Sequence, residues 1–154
     1  MLYYNQKERE REKKMSNRIY LDMDGTIADL YGVENWLENL VNGNDRPYRV
    51  AKKMVEEKVL ENLVNLGYEL AIVSWLSKNS NKEYDKMVRN AKKEWLKKNF
   101  PNIHFVEIHI VKYGTPKSRV VKEKNSILFD DEERNRNEWK GLAIDAKYLP
   151  IWGN

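Results

Sequence analysis

The chain has 154 residues, 34% of them charged and 41% hydrophobic, with a formal net charge of +4 and no cysteine. That length suits one domain with a real core. The apolar and aromatic content argues against a disordered chain, and the lack of cysteine excludes disulfides and thiolate chemistry. No apolar run approaches the roughly 20 residues that span a bilayer, and the charged N-terminus has no signal-peptide apolar stretch, so no membrane partner and a cytoplasmic protein are expected.

Residues 1–15 read as a charged N-terminal tail, because Lys7 to Lys14 alternates in charge without an apolar stripe. Lys, Glu and one pair of Arg codons can be wholly purine, as are bacterial ribosome-binding sites, and Met15 follows directly. The expectation is that the natural start is Met15 and that residues 1–14 are a leader wrongly read as coding sequence or a dispensable tail. The domain proper is then 16–154.

Arg18 to Asp24 predicts a first strand, and Leu30 to Asn44 a helix with Trp36, Leu37, Leu40 and Val41 apolar. A loop over 42–47 leads to a second helix from about Val50 to Leu66, with Val55, Val59, Leu63 and Leu66 as its buried stripe and Gly67 as its stop. Tyr68 to Ser74 is a second strand. Ser80 and Glu83 predict a capping box for a third helix, whose inner stripe is Tyr84, Val88, Ala91 and Trp95 and which Pro101 closes. Strands follow over His104 to Val111 and Ser126 to Phe129, then a short helix from Asp131 to Lys140 and a strand from Leu142 to Asp145. This alternation predicts an α/β fold with a mainly parallel five-stranded sheet. His104 and His109 are read as structural.

The segment Lys82 to Lys98 holds seven basic and three acidic residues, and 7 − 3 = +4 equals the net charge of the whole chain. A solvated helix face explains that excess better than a nucleic-acid footprint.

Asp22-Met23-Asp24-Gly25-Thr26 follows the apolar run Ile19-Tyr20-Leu21. Carboxylates two residues apart leave a strand on the same side and repel one another unless a cation intervenes. Ligands in parallel sheets bind at carboxyl strand ends. Asp22 and Asp24 end the first strand, Ser74 the second, and Asp130-Asp131 the fourth. An EF-hand reading fails, since the Gly comes too early and a strand precedes. Asp130-Asp131 alone would serve equally well as a helix N-terminal pair.

These four features, Asp22-Met23-Asp24-Gly25-Thr26, Ser74, Lys117 and Asp130-Asp131, resemble in order the motifs of the haloacid dehalogenase superfamily of phosphohydrolases, over roughly residues 17–150. The resemblance implies a three-layer Rossmann-like fold and a Mg²⁺-dependent phosphomonoester hydrolase. It implies Asp22 as nucleophile and Asp24 as general acid–base. Asp22, the Asp24 carbonyl and one of Asp130 or Asp131 would hold the metal, with Asp130 favoured as the direct ligand. Ser74 would bind a phosphoryl oxygen, and Lys117, preferred over Lys112 and Lys122, would orient Asp22 and neutralise phosphate charge. Gly25 would let the chain turn beneath the phosphate.

The insertion left after the first motif, about 30–49, makes only a minimal helical cap. Within the superfamily the chain is most similar to the 5′(3′)-deoxyribonucleotidase-like branch and its bacterial and phage relatives, through Asp22 to Asp29, Glu94-Trp95-Leu96 with Phe100-Pro101, and Ile127 to Asp131. That implies a small phosphorylated substrate, nucleoside 5′-monophosphates among the candidates, with a base held by aromatic residues. Tyr31, Trp36, Tyr48 and Trp75 are available, with Trp75 foremost and Trp36 the one most easily explained as packing. Ser74-Trp75 departs from the branch's Thr-Ser-Pro. The alternatives are a nucleic-acid 3′-end phosphatase steered by Lys92 and Lys93, and a non-catalytic binding module. Native protein of intact mass beginning at residue 15 is the expected result for the tail; Met1 retained would overturn that reading.

Overall fold

The computed structural model describes residues 15–78 and 80–154, so the charged tract before Met15 lies outside the described residues. Strands form where β-branched and aromatic residues run together: β1 (Arg18–Leu21), β4 (Glu69–Trp75), β5 (Phe105–Val111), β6 (Ile127–Asp130) and β7 (Leu142–Asp145). They make one parallel sheet in the order β5-β4-β1-β6-β7. The central strands β1 and β6 are buried on both faces, as their uninterrupted apolar character requires.

One face packs Ile19, Leu21, Ile72 and Phe129 against α3 (Glu57–Asn65), the C-terminal half of α4 (Lys82–Asn99) and the region of α7 (Leu149–Trp152). The other packs Tyr20, Val73 and Leu128 against Val121 and Trp139, beside two short helices, α5 (Lys117–Val120) and α6 (Glu133–Glu138). The architecture is therefore three-layered α/β with a parallel five-stranded sheet. Among the described residues no helix is long and apolar enough to cross a membrane.

The insertion after the first motif departs from the expected helix over 30–44. A two-residue strand, β2 (Ala28–Asp29), pairs antiparallel with β3 (Lys52–Lys53). Between them lie a 3₁₀ turn (Leu30–Gly32), α1 (Trp36–Val41) and α2 (Arg46–Val50). Arg46 and Pro47, expected in the loop, open α2, where a proline at the first turn costs no hydrogen bond. The second predicted helix is shorter than expected and begins at Glu57. Leu66 is exposed, whereas Leu60 and Leu63 are fully buried, because the chain has left the helix before Gly67 at φ +99°. The predicted capping box is replaced by Asn81, whose side chain accepts from the Tyr84 amide at 2.8 Å; Ser80 instead donates to Asp85. Tyr84, Val88, Ala91 and Trp95 are all buried, as their spacing requires.

Three hydrogen bonds anchor the insertion to the body. Trp95 Nε1 donates to the Ala51 carbonyl at 2.7 Å, Tyr84 OH donates to the Asn44 carbonyl at 3.0 Å, and Tyr48 OH shares one with Ser77 Oγ at 2.6 Å. Leu30 and Tyr48 join Val88 and Ala91 in one cluster, so the insertion lies on the N-terminal half of α4.

Beside Tyr20, the 6%-exposed Glu107 carboxylate accepts from Tyr20 OH, Arg18, His109 Nε2 and the Lys122 amide. Burial pushes its carboxyl up, but these donors outweigh burial and hold it down to about 2, below the ordinary 4.5. A depressed folded-state value means that the stability Glu107 contributes is full above about pH 4.5 and lost as pH falls toward 2. Glu107→Gln should lower the unfolding free energy by about 3 kcal/mol at pH 7 and flatten its decline below pH 4.5, read by urea denaturation across pH.

Candidate active site

Asp22 follows the last residue of β1, and its amide donates to the Phe129 carbonyl of β6 at 3.0 Å. The expected strand to Asp24 therefore ends early. From Met23 the chain folds into a tight turn, in which the Thr26, Ile27 and Ala28 amides all donate to the Met23 carbonyl. Gly25 sits at φ +83°, and a Cβ there would strike the Asp131 carboxylate. Glycine thus serves twice, permitting the turn and leaving room for the second acid of the fourth motif.

Lys117, the first residue of α5, is 3% exposed. Its Nζ donates to Asp22 Oδ1 at 2.8 Å and to Asp130 Oδ2 at 2.6 Å. Lys112 and Lys122 are both exposed, so Lys117 is the lysine that reaches the acids. Burial alone would lower its basicity, but Asp22 and Asp130 outweigh that and raise it. Thr26 Oγ1 donates to Asp22 Oδ2 at 3.1 Å, so both oxygens of Asp22 are oriented.

Oxygens of Asp22, Asp130 and Asp131 all lie within 4.8 Å of one another. Lys117 pairs with two of these three carboxylates, and the group carries a formal excess of two negative charges. Burial, and then the charge on Asp22, pushes the carboxyls of Asp130 and Asp131 upward. Hard oxygen donors in this number suit a divalent cation such as Mg²⁺. Asp130, expected as the direct ligand, is the more occupied of the two motif-four acids. Its Oδ2 takes Lys117 and its Oδ1 takes the Glu132 amide at 3.0 Å. Among the described residues the Asp131 carboxylate accepts only a long contact from Thr26, at 3.5 Å, and is the freer of the two to take a cation.

Asp22 and Asp24 form the floor of a cavity of about 320 Å³. Tyr31, Trp36, Tyr48 and Trp75 all line it, and Lys117 closes one end. Tyr31 and Trp36 meet edge to face at 5.0 Å, so Trp36 serves packing and wall together. Trp75 is fixed by Nε1 donation to the Thr115 carbonyl at 2.8 Å and by Tyr113, whose ring lies 4.8 Å away. Leu37 and Val41 of α1 are exposed apolar residues on the same wall.

Ser74, expected on the phosphate, is wholly buried and is not on the cavity wall. It accepts a hydrogen bond from Lys92 Nζ at 2.7 Å. Gly25 likewise lies against Asp131 rather than on the wall.

Lys92 itself overturns the reading of a wholly solvated basic face. It is 1% exposed and pairs with Asp24 Oδ2 at 2.8 Å. Its position carried the signal: four residues after Val88 and three before Trp95, it falls within the apolar stripe. Asn135 was also missed. It is 4% exposed, lines the cavity, and its Oδ1 has no hydrogen-bond partner among the described residues; no sequence pattern marks it.

Gly25→Ala should destabilise the fold by about 1–3 kcal/mol through its positive φ and the Asp131 collision, read by chemical denaturation.

No protein-family model matches the chain, and no curated protein matches it.

Proposed function

We propose that the protein is a Mg²⁺-dependent phosphatase of small phosphomonoesters, nucleoside monophosphates foremost, acting through an aspartyl-phosphate on Asp22. The observation that carries this reading is the buried acid cluster with its excess of two negative charges, opening at Asp22 into an aromatic-walled cavity. The motif order, similar to that of the haloacid dehalogenase superfamily, supports it.

Asp22, Asp130 and Asp131 would hold the ion. Mg²⁺ bound there would neutralise the charge that a phosphate dianion brings to an anionic nucleophile. Lys117 holds the Asp22 carboxylate in place and faces the incoming charge. An Asp22 oxygen attacks phosphorus, the ester P–O bond breaks, and Asp24 gives its proton to the departing oxygen. Burial pushes the Asp24 carboxyl up while Lys92 opposes that, and the net direction is upward, as a proton donor requires. In the second half, Asp24 takes a proton from water, the water oxygen attacks phosphorus, and the Asp22–phosphorus bond breaks to release inorganic phosphate.

The leaving group would occupy the space among Tyr31, Trp36, Tyr48 and Trp75, an aromatic lining that suits a planar base. A nucleic-acid 3′-end substrate is less favoured, because Lys92, one of the two lysines invoked for steering, faces inward. A purely non-catalytic module is disfavoured by the oriented nucleophile and the separately held Asp24.

Purified protein should hydrolyse p-nitrophenyl phosphate with Mg²⁺ and not after chelation. Asp22→Asn should lower kcat by at least about 10³-fold. No turnover by the wild type, or an active Asp22→Asn variant, would sink the proposal. Millimolar Mg²⁺ should raise the thermal midpoint of the wild type and not that of Asp131→Asn. Trp36→Ala should raise KM for a nucleoside monophosphate about 10-fold and leave KM for p-nitrophenyl phosphate within twofold. A preference for oligonucleotides with steep salt dependence would favour the 3′-end reading instead.

A further inference from the structure

Lys92 is a buried lysine whose ammonium has three donors and three acceptors. They are Asp24 Oδ2 at 2.8 Å, Ser74 Oγ at 2.7 Å and the Trp75 carbonyl at 2.8 Å. The Tyr48 ring lies 5.1 Å away and helps exclude water. With its donors spent, Lys92 has none left for a phosphate. Two of its three acceptors belong to β4, whose last six residues are buried. The third is the side chain of Asp24, which sits in a loop and faces the cavity. The lysine therefore ties a loop carboxyl to the rigid sheet.

We infer that Lys92 is a positioning residue for Asp24: by occupying Oδ2 it fixes the carboxyl plane and leaves Oδ1 as the oxygen that exchanges protons with substrate and water. The inference rests on the phosphatase reading above. Asp24 Oδ1 accepts no hydrogen bond among the described residues, so it is the oxygen available to the cavity. A proton on Oδ2 would point at an ammonium; a proton on Oδ1 meets no such obstacle. Removing the ammonium frees the carboxyl to rotate, and a misplacement of about 1 Å in a reacting group costs on the order of 100-fold in rate.

This role has a kinetic signature that a general packing role lacks. Cleavage of an alkyl phosphate needs the Asp24 proton, because alkoxide is a poor leaving group. Cleavage of p-nitrophenyl phosphate does not, because nitrophenolate leaves unaided. Hydrolysis of the aspartyl-phosphate needs Asp24 as base with either ester. Lys92→Met should therefore lower kcat for glycerol 2-phosphate by about 100-fold. With p-nitrophenyl phosphate in a stopped-flow instrument it should give a burst of one equivalent of nitrophenolate followed by slow turnover.

Wild-type protein is assayed beside it, with circular dichroism to verify the fold. Wild type inactive on both esters defeats the phosphatase reading and the inference with it. Wild type active, with Lys92→Met within threefold of it on glycerol 2-phosphate, defeats the inference alone, as does an equal loss on both esters without a burst. Should Lys92→Met not fold, Asp24→Asn is compared with Asp24→Asn/Lys92→Met, which buries no unpaired carboxylate. A residue that works through Asp24 should change single-turnover nitrophenolate release by less than threefold in that background; a further 10-fold loss overturns the inference.

Discussion

Too much negative charge in too small a volume is the constraint on which this structure turns. Asp22, Asp130 and Asp131 converge where β1 and β6 end, and Lys117 is the ammonium that contacts two of them. Isolated ionised carboxylates are costly to bury, so such a grouping persists only where folding elsewhere holds it and where charge is offset, here by Lys117 and by the upward shift of the Asp130 and Asp131 carboxyls. The parallel sheet does the holding. Chain order places β4 on one side of β1 and β6 on the other, and the crevice at that divergence is where the acids meet. Hydrophobic packing on both faces of the central strands stabilises the fold, and the site draws on that stability.

The two lysines divide the electrostatic work. Lys117 lies on the β6 side and keeps Asp22 and Asp130 together. Lys92 comes from the opposite layer and holds the remaining acid apart from them. Two carboxyls two residues apart in sequence are thus given different surroundings, one tied to the cluster and the other to the cavity. Divergent surroundings are what separate an acid–base group from a nucleophile of identical chemical type.

Much of this was legible from residues alone, for identifiable reasons. Ile127-Leu128-Phe129 is apolar without interruption, so its strand could be read directly. Asp22, Lys117 and Asp130-Asp131 came from motif chemistry, and they meet. Failures cluster where local pattern is short or ambiguous. The β2–β3 pair has two residues per strand and no period to detect. Leu66 continued a helical spacing that the turn at Gly67 had already ended. Lys92 was lost because counting charges along α4 ignores phase: the position belongs to the stripe of Val88 and Trp95, and a charge there must find a partner inside. Ser74 was placed by strand position, yet only tertiary packing reveals that Lys92 stands on it. Asn135 needed the assembled cavity.

The helix α4 spans 18 residues, about 27 Å at 1.5 Å per residue. Its Lys92 holds the Asp24 carboxylate, and its Tyr84 and Trp95 fasten the insertion that walls the cavity. The Asp24 carboxylate and the insertion are consequently mounted on one rod. Tilting this helix would move the insertion and the Asp24 carboxylate together. The residues between Asp29 and Lys52 leave and rejoin the body through a two-strand clasp, so the wall they build can vary as a unit while the strand ends below it stay in place.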